Sequence, residues 1–92
     1  MAIRRIRGAL QREKYEFTLH ALEEMDEDDL TESDVRRVMM HGRVVATLSD
    51  DPRGPRFVVR GSPRRSRPVI EVVCRFLPSG LLRIITVYRL EV

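Results

Sequence analysis

Val69-Ile-Glu-Val-Val-Cys-Arg-Phe76, Leu77-Pro-Ser-Gly80 and Leu81-Leu-Arg-Ile-Ile-Thr-Val-Tyr-Arg-Leu90 read as strand, turn and strand. Both flanks are rich in β-branched and aromatic residues, and Pro78, Ser79 and Gly80 interrupt them. Side chains alternate along a strand. In the first flank Ile70, Val72, Cys74 and Phe76 share one face, and Val69, Glu71, Val73 and Arg75 the other. In the second, alternation puts Thr86 and Tyr88 with Leu82, Ile84 and Leu90. It puts Arg83 and Arg89 with Leu81, Ile85 and Val87. Neither face of this strand is cleanly polar, which predicts cover on much of both sides.

Upstream, Arg43–Leu48 and Arg56–Arg60 read as two more strands. They are joined by the turn-rich Ser49–Pro55 and followed by the basic loop Gly61–Pro68. Short connections favour antiparallel neighbours, so the expectation is a four-stranded antiparallel meander.

The N-terminal half has a helical period. Ile3, Ile6 and Leu10 predict a basic amphipathic helix over about residues 2–13. Residues 15–18 look briefly extended, and Thr18 is placed to cap a helix over about 19–28. Leu30-Thr-Glu-Ser-Asp-Val35 carries a near capping box, Thr31 with Asp34, and a hydrophobic staple, Leu30 with Val35. The helix it opens runs over about 32–41, with Gly42 as a natural C′ glycine. The expected fold is α+β: N-terminal helices packed on one face of a four-stranded antiparallel sheet. It is one domain over 1–92, with a basic helix in 1–14, helices in 15–42 and sheet in 43–92.

At 92 residues and 10.7 kDa there is no room for a second domain or a nucleotide-binding fold. One cysteine, Cys74, excludes an internal disulfide. With two histidines it makes no standard zinc set, and no metal or cofactor is expected. No apolar run reaches the ~20 residues of a membrane span. The first residues, Met1–Gly8, lack a signal-peptide pattern, so a cytoplasmic protein is the expectation.

The net charge of +3 conceals a segregation. Residues 1–14 carry +4, residues 15–34 carry −9, and residues 35–92 carry +8. Sixteen of the seventeen bases are arginine, whose planar fork matches phosphate. Arg60 and Arg75 with the loop arginines Arg64, Arg65 and Arg67 form a candidate phosphate-facing patch. The alternative is a set of solubilising charges. Five aromatics offer little stacking surface for single strands. The acids of 23–34 read as one solvated helix face or a docking surface for a basic partner.

His20 opens the second helix and is of the type best suited to proton transfer near neutral pH. Lone histidines are more often structural, and spacing does not separate the two. Tyr88 is either a core aromatic with its hydroxyl at the rim or the lining of a site.

Thr18-Leu-His20-Ala21-Leu-Glu-Glu-Met25, Leu30–Val35, Gly42-Arg-Val-Val45, Asp51–Pro55 and Gly80–Tyr88 occur in that order. Together they resemble a family of small bacterial proteins of unknown function. Its members carry an N-terminal His-Ala-x-x-x-Met motif and end in an Ile-Thr-Val-Tyr strand. That family is similar in fold to RelE- and MqsR-type toxins. The resemblance implies a toxin-like, metal-independent RNA endonuclease of a toxin–antitoxin pair. The alternative is a non-catalytic RNA- or protein-binding module on the same scaffold. The resemblance implies His20, Thr86 and Tyr88, the residues matching the family's motifs, as catalytic: base, acid or phosphate contact. Arg60 and Arg75, on strands that could supply cations, complete the candidate catalytic set as charge stabilisers. The implied partners are RNA, including ribosome-bound mRNA, and a zinc-finger/helix-turn-helix antitoxin, with no membrane. Homodimerisation through an edge strand is a further expectation. Many relatives read His-Ala-x-x-Arg-Met-x-x-Arg-Gly, where this chain has Glu24, Asp28 and Asp29.

Overall fold

The computed structural model describes residues 2–65 and 67–90. Along the chain run α1 (Ala2–Gln11), β1 (Tyr15–Phe17), α2 (Leu19–Glu27), α3 (Glu32–His41), β2 (Arg43–Leu48), β3 (Arg56–Gly61), β4 (Ile70–Phe76) and β5 (Leu82–Arg89). The strands form one sheet in the order β1-β5-β4-β3-β2.

The α+β class and the antiparallel β2 to β5 meander are as expected, but the sheet has five strands and is mixed. Tyr15–Phe17 pairs parallel to β5, with Tyr15 opposite Leu82 and Phe17 opposite Ile84. Parallel pairing requires a long connection between the strands. Here the two helices α2 and α3 and three strands intervene.

Helix ends follow local chemistry. Thr18 accepts from the Ala21 N–H at 3.1 Å and caps α2. Thr31 and Asp34 form the reciprocal box on α3, at 2.9 and 3.1 Å. α1 and α2 both stop in a left-handed residue, Glu13 at φ 60° and Asp29 at φ 57°. The next N–H, of Lys14 and of Leu30, reaches back to Ala9 and Met25 at 2.8 Å in each case. This is the Schellman arrangement with a non-glycine residue at C′.

Gly42 differs from its expected role. Its φ of −79° is open to any residue. Its requirement is space, because a Cβ would collide with the carbonyl oxygens of Arg60 and Val38.

Ile6 and Leu10 of α1, Met25 of α2, and Val35, Val38 and Met39 of α3 form the core with the sheet. The sheet contributes Val59, Ile70, Val72, Cys74, Leu82, Ile84 and Val87. The alternation expected for β4 holds. That for β5 breaks, because its register against β4 shifts: Cys74 faces Ile84, but Val73 faces Thr86. Ile85 is the extra residue of a bulge, and one extra residue reverses every side chain beyond it. Thr86 and Tyr88 therefore lie on the face of Arg83, opposite Leu82 and Ile84, and Val87 turns into the core.

Candidate functional site

Arg60, Glu71 and Tyr88 stand side by side on β3, β4 and β5. The register pairs Arg60 with Glu71 and Glu71 with Tyr88. The Tyr88 hydroxyl donates to Glu71 Oε1 at 2.5 Å. Arg60 donates to Glu71 Oε2 through Nε at 2.8 Å, and its Nη2 lies 2.7 Å from that oxygen. Glu71 is 7% exposed, so this carboxylate is a fixed charge among fixed donors. The Tyr88 hydrogen bond, then Arg60, holds Glu71 below the usual carboxylate range against the effect of burial. In return the Glu71 bond, then burial, pushes the Tyr88 hydroxyl up to about 12, and Glu24 adds to the rise.

α2 supplies the other half. Thr18 caps the helix and donates its hydroxyl hydrogen to the Ile85 carbonyl at 2.9 Å, so one side chain ties the helix start to the bulge. Further along the helix, Glu24 Oε1 accepts from the Val87 N–H at 3.0 Å and from the Thr86 hydroxyl. β1 pairs with β5 only as far as Ile84, so beyond that point this carboxylate meets the strand's outer backbone. His20, at i−4, brings Nε2 to 3.4 Å from the same oxygen while its side chain stays 67% exposed.

The structure thus links four of the five expected catalytic residues into two short chains on neighbouring parts of β5. One is His20–Glu24–Thr86 and the other Tyr88–Glu71–Arg60. Arg75 is apart from them. It lies four residues along β4 from Glu71, about 13 Å at strand spacing. Its Nη1 is held 3.1 Å from Asp51 Oδ2. Arg53 and then Arg75 hold the Asp51 carboxyl well below the usual range.

The loop arginines do not form one open patch. Arg64 binds both oxygens of Asp34, Nε at 2.9 Å and Nη2 at 3.2 Å. Arg67 donates to the Asp29 carbonyl. Arg65 is exposed and lines, with Arg37 and His41, an open cavity of about 430 Å³. Two arginines of the basic loop are spent on the acidic segment because folding sets that loop against the α3 start.

Sequence reasoning missed both carboxylates. Glu24 was legible as the i+4 partner of His20. Glu71 carried a signal too, as an acid inside an apolar central strand. Among the described residues no group of three His, Cys, Asp or Glu is placed to hold a metal ion. Cys74 is a buried thiol pushed up to about 12 by desolvation. No described helix is long and apolar enough to cross a membrane.

A family model described as a domain of unknown function, DUF4258, matches residues 17–89. No curated protein and no solved structure matches the chain.

Proposed function

The chain belongs to the DUF4258 family, and we propose that the protein is a metal-independent endoribonuclease whose site is the Thr86–Tyr88 end of β5. The observation that carries this reading is the convergence of a histidine–carboxylate pair and a tyrosine–carboxylate–arginine row on that one strand end. In the proposed reaction His20 takes the proton of a ribose 2′-hydroxyl, and Glu24 orients the imidazole. The 2′-oxygen attacks the adjacent phosphorus, and the bond to the 5′-oxygen breaks. Tyr88, protonated throughout the neutral range, gives its proton to that leaving oxygen. Water then restores both groups, leaving a 2′,3′-cyclic phosphate and a 5′-hydroxyl. Arg60 meets the extra negative charge of the pentacovalent state, already oriented by Glu71. RNA, free or ribosome-bound, is the proposed substrate. A zinc-finger/helix-turn-helix antitoxin is the proposed partner, by resemblance to RelE-type systems.

The test is cleavage of RNA in excess EDTA, with end-group analysis. Wild type is expected to yield cyclic phosphate ends, and His20→Ala to lose about 10²-fold or more in rate. Expression of wild type, but not of His20→Ala, is expected to arrest growth. No cleavage of naked or ribosomal RNA by wild type overturns the enzyme.

A second reading, a non-catalytic module, is favoured by α2. Leu19 is 72% and Leu22 41% exposed on a helix bearing Glu23, Asp26 and Glu27. An acidic face with apolar anchors suits a basic amphipathic segment of a protein partner. Steeply salt-dependent RNA or partner binding without cleavage supports this second reading.

A further inference from the structure

Phe57 and Phe76 are far apart in sequence but meet edge to face at the β4–β5 turn, with ring centroids 6.4 Å apart. The Arg5 guanidinium of α1 lies over the Phe76 ring, 3.8 Å from its centroid. These three side chains, with Arg53 and Pro55, wall a cavity of about 250 Å³ that closes on Leu77 and Pro78. A second cavity, of about 230 Å³, shares Arg53, Leu77 and Pro78 and opens to Arg75 and Arg83.

Because they share three wall residues, we infer that the two cavities act together as one cleft around the end of the sheet. Arg75 and Arg83 are register partners on the face that carries Glu71, Thr86 and Tyr88. Phe57 and Phe76 pack against the core on the opposite face. The cleft therefore runs from the site face, past Arg53, to the aromatic pair beneath Arg5. Three of its four arginines touch two acids, Arg53 and Arg75 on Asp51 and Arg83 on Glu16, so the cleft is net positive. Its aromatic end is smaller than a typical ~300 Å³ ligand pocket, a size for one ring system rather than a large molecule.

We propose that this cleft is a nucleotide subsite for single-stranded RNA: one base seats against Phe57, Phe76 and the Arg5 guanidinium plane, and the flanking phosphates lie along Arg53, Arg75 and Arg83. Unpaired bases are held in this way, by stacking on aromatic faces or guanidinium planes beside cations that track the backbone. The inference rests on RNA as the ligand of the site face, and deepens that reading by stating where the strand goes. It also gives Arg75 a role at a distance from Glu71: a phosphate contact held rigid by Asp51 rather than a group at the reacting phosphorus.

The experiment measures anisotropy of a labelled single-stranded RNA with His20→Ala protein in EDTA, so that binding is read without cleavage. On that background Phe57→Leu is expected to weaken binding about tenfold, the scale of one stacked base. Its salt dependence should be unchanged. Arg5→Ala and Arg53→Ala are expected to weaken binding and flatten the salt slope by about 0.7 each. Arg12→Ala, just beyond the C-terminal end of α1, serves as the charge control. An RNA with abasic positions is expected to bind the Phe57→Leu protein and its parent equally, which a mere packing defect would not produce. Urea midpoints verify folding. Parent-like affinity in Phe57→Leu, with Arg5→Ala and Arg53→Ala no weaker than Arg12→Ala, overturns the subsite. So does absence of RNA binding altogether. Pocket-dependent binding by a wild type that never cleaves leaves the subsite standing and removes only the nuclease.

Discussion

Glu71 shows how one buried carboxylate governs its neighbours. It accepts from Tyr88 and Arg60 at once, and the raised Tyr88 hydroxyl is the consequence. Because the folded value lies above the ordinary value of 10, the bond stabilises the fold fully below pH 10. That stabilisation is lost as pH rises towards about 12. In a Tyr15→Phe background, which leaves one tyrosine, Glu71→Gln is expected to bring the ultraviolet titration of Tyr88 back towards 10. An unmoved titration curve would show that burial alone raises it. Asp29 is a second single-residue case. It occupies the left-handed C′ position of α2 at φ 57°, a conformation that favours glycine. Asp29→Gly is expected to stabilise the protein by about 0.5 kcal/mol, read as a higher urea midpoint. A lower midpoint would mean that the aspartate contributes more than its backbone strain costs.

At the scale of elements, the joint between α2 and β5 decides whether there is a site. Thr18 caps the helix and binds the carbonyl of the bulge residue, 67 positions away. Thr31 caps α3 with similar local geometry, yet among the described residues its hydroxyl bonds only within its own helix. Both Thr18→Ala and Thr31→Ala are expected to cost about 1 kcal/mol of stability. Under the proposed nuclease reading, only Thr18→Ala should also lower RNA cleavage, since it loosens His20 and Glu24 from Thr86. Equal loss in the two variants would show that Thr18 acts on stability alone. The N-terminal caps of α2 and α3 were legible beforehand, because such a cap is decided by residues within one turn. The bulge was not, because Ile-Ile-Thr-Val alternates equally well with or without a slip. Only the partner strand registers the extra residue, and with it the face on which Thr86 and Tyr88 appear.

Across the whole molecule, the three-block charge pattern folds back on itself. Asp34 of the acidic block takes Arg64 of the basic one, and Glu16 takes Arg83. The Arg64 hydrogen bonds, with those of the Thr31 cap, lower the Asp34 carboxyl from 3.8 to about 2 despite its burial. A lowered carboxyl contributes stability above its unfolded value and loses it as pH falls through the folded one. Urea midpoints are therefore expected to fall between about pH 4 and pH 2, and to fall less steeply in Asp34→Asn. Parallel curves for the two proteins would show that other carboxylates control the acid limb. Arg64, the partner of Asp34, is expected to matter for this stability.

From the order of the amino acids alone come the class, the N-terminal caps of α2 and α3, four of the strands and the faces of β4. Each follows from periodicity or from hydrogen bonds a few residues long. Tertiary packing settled the parallel fifth strand, the face of Tyr88, the carboxylate that holds Tyr88, and the fate of the loop arginines. Those depend on partners brought from 11 to 67 residues away. An arginine's charge is written in the sequence, but whether it faces solvent or a buried carboxylate is settled only by which strands and loops come to lie beside it.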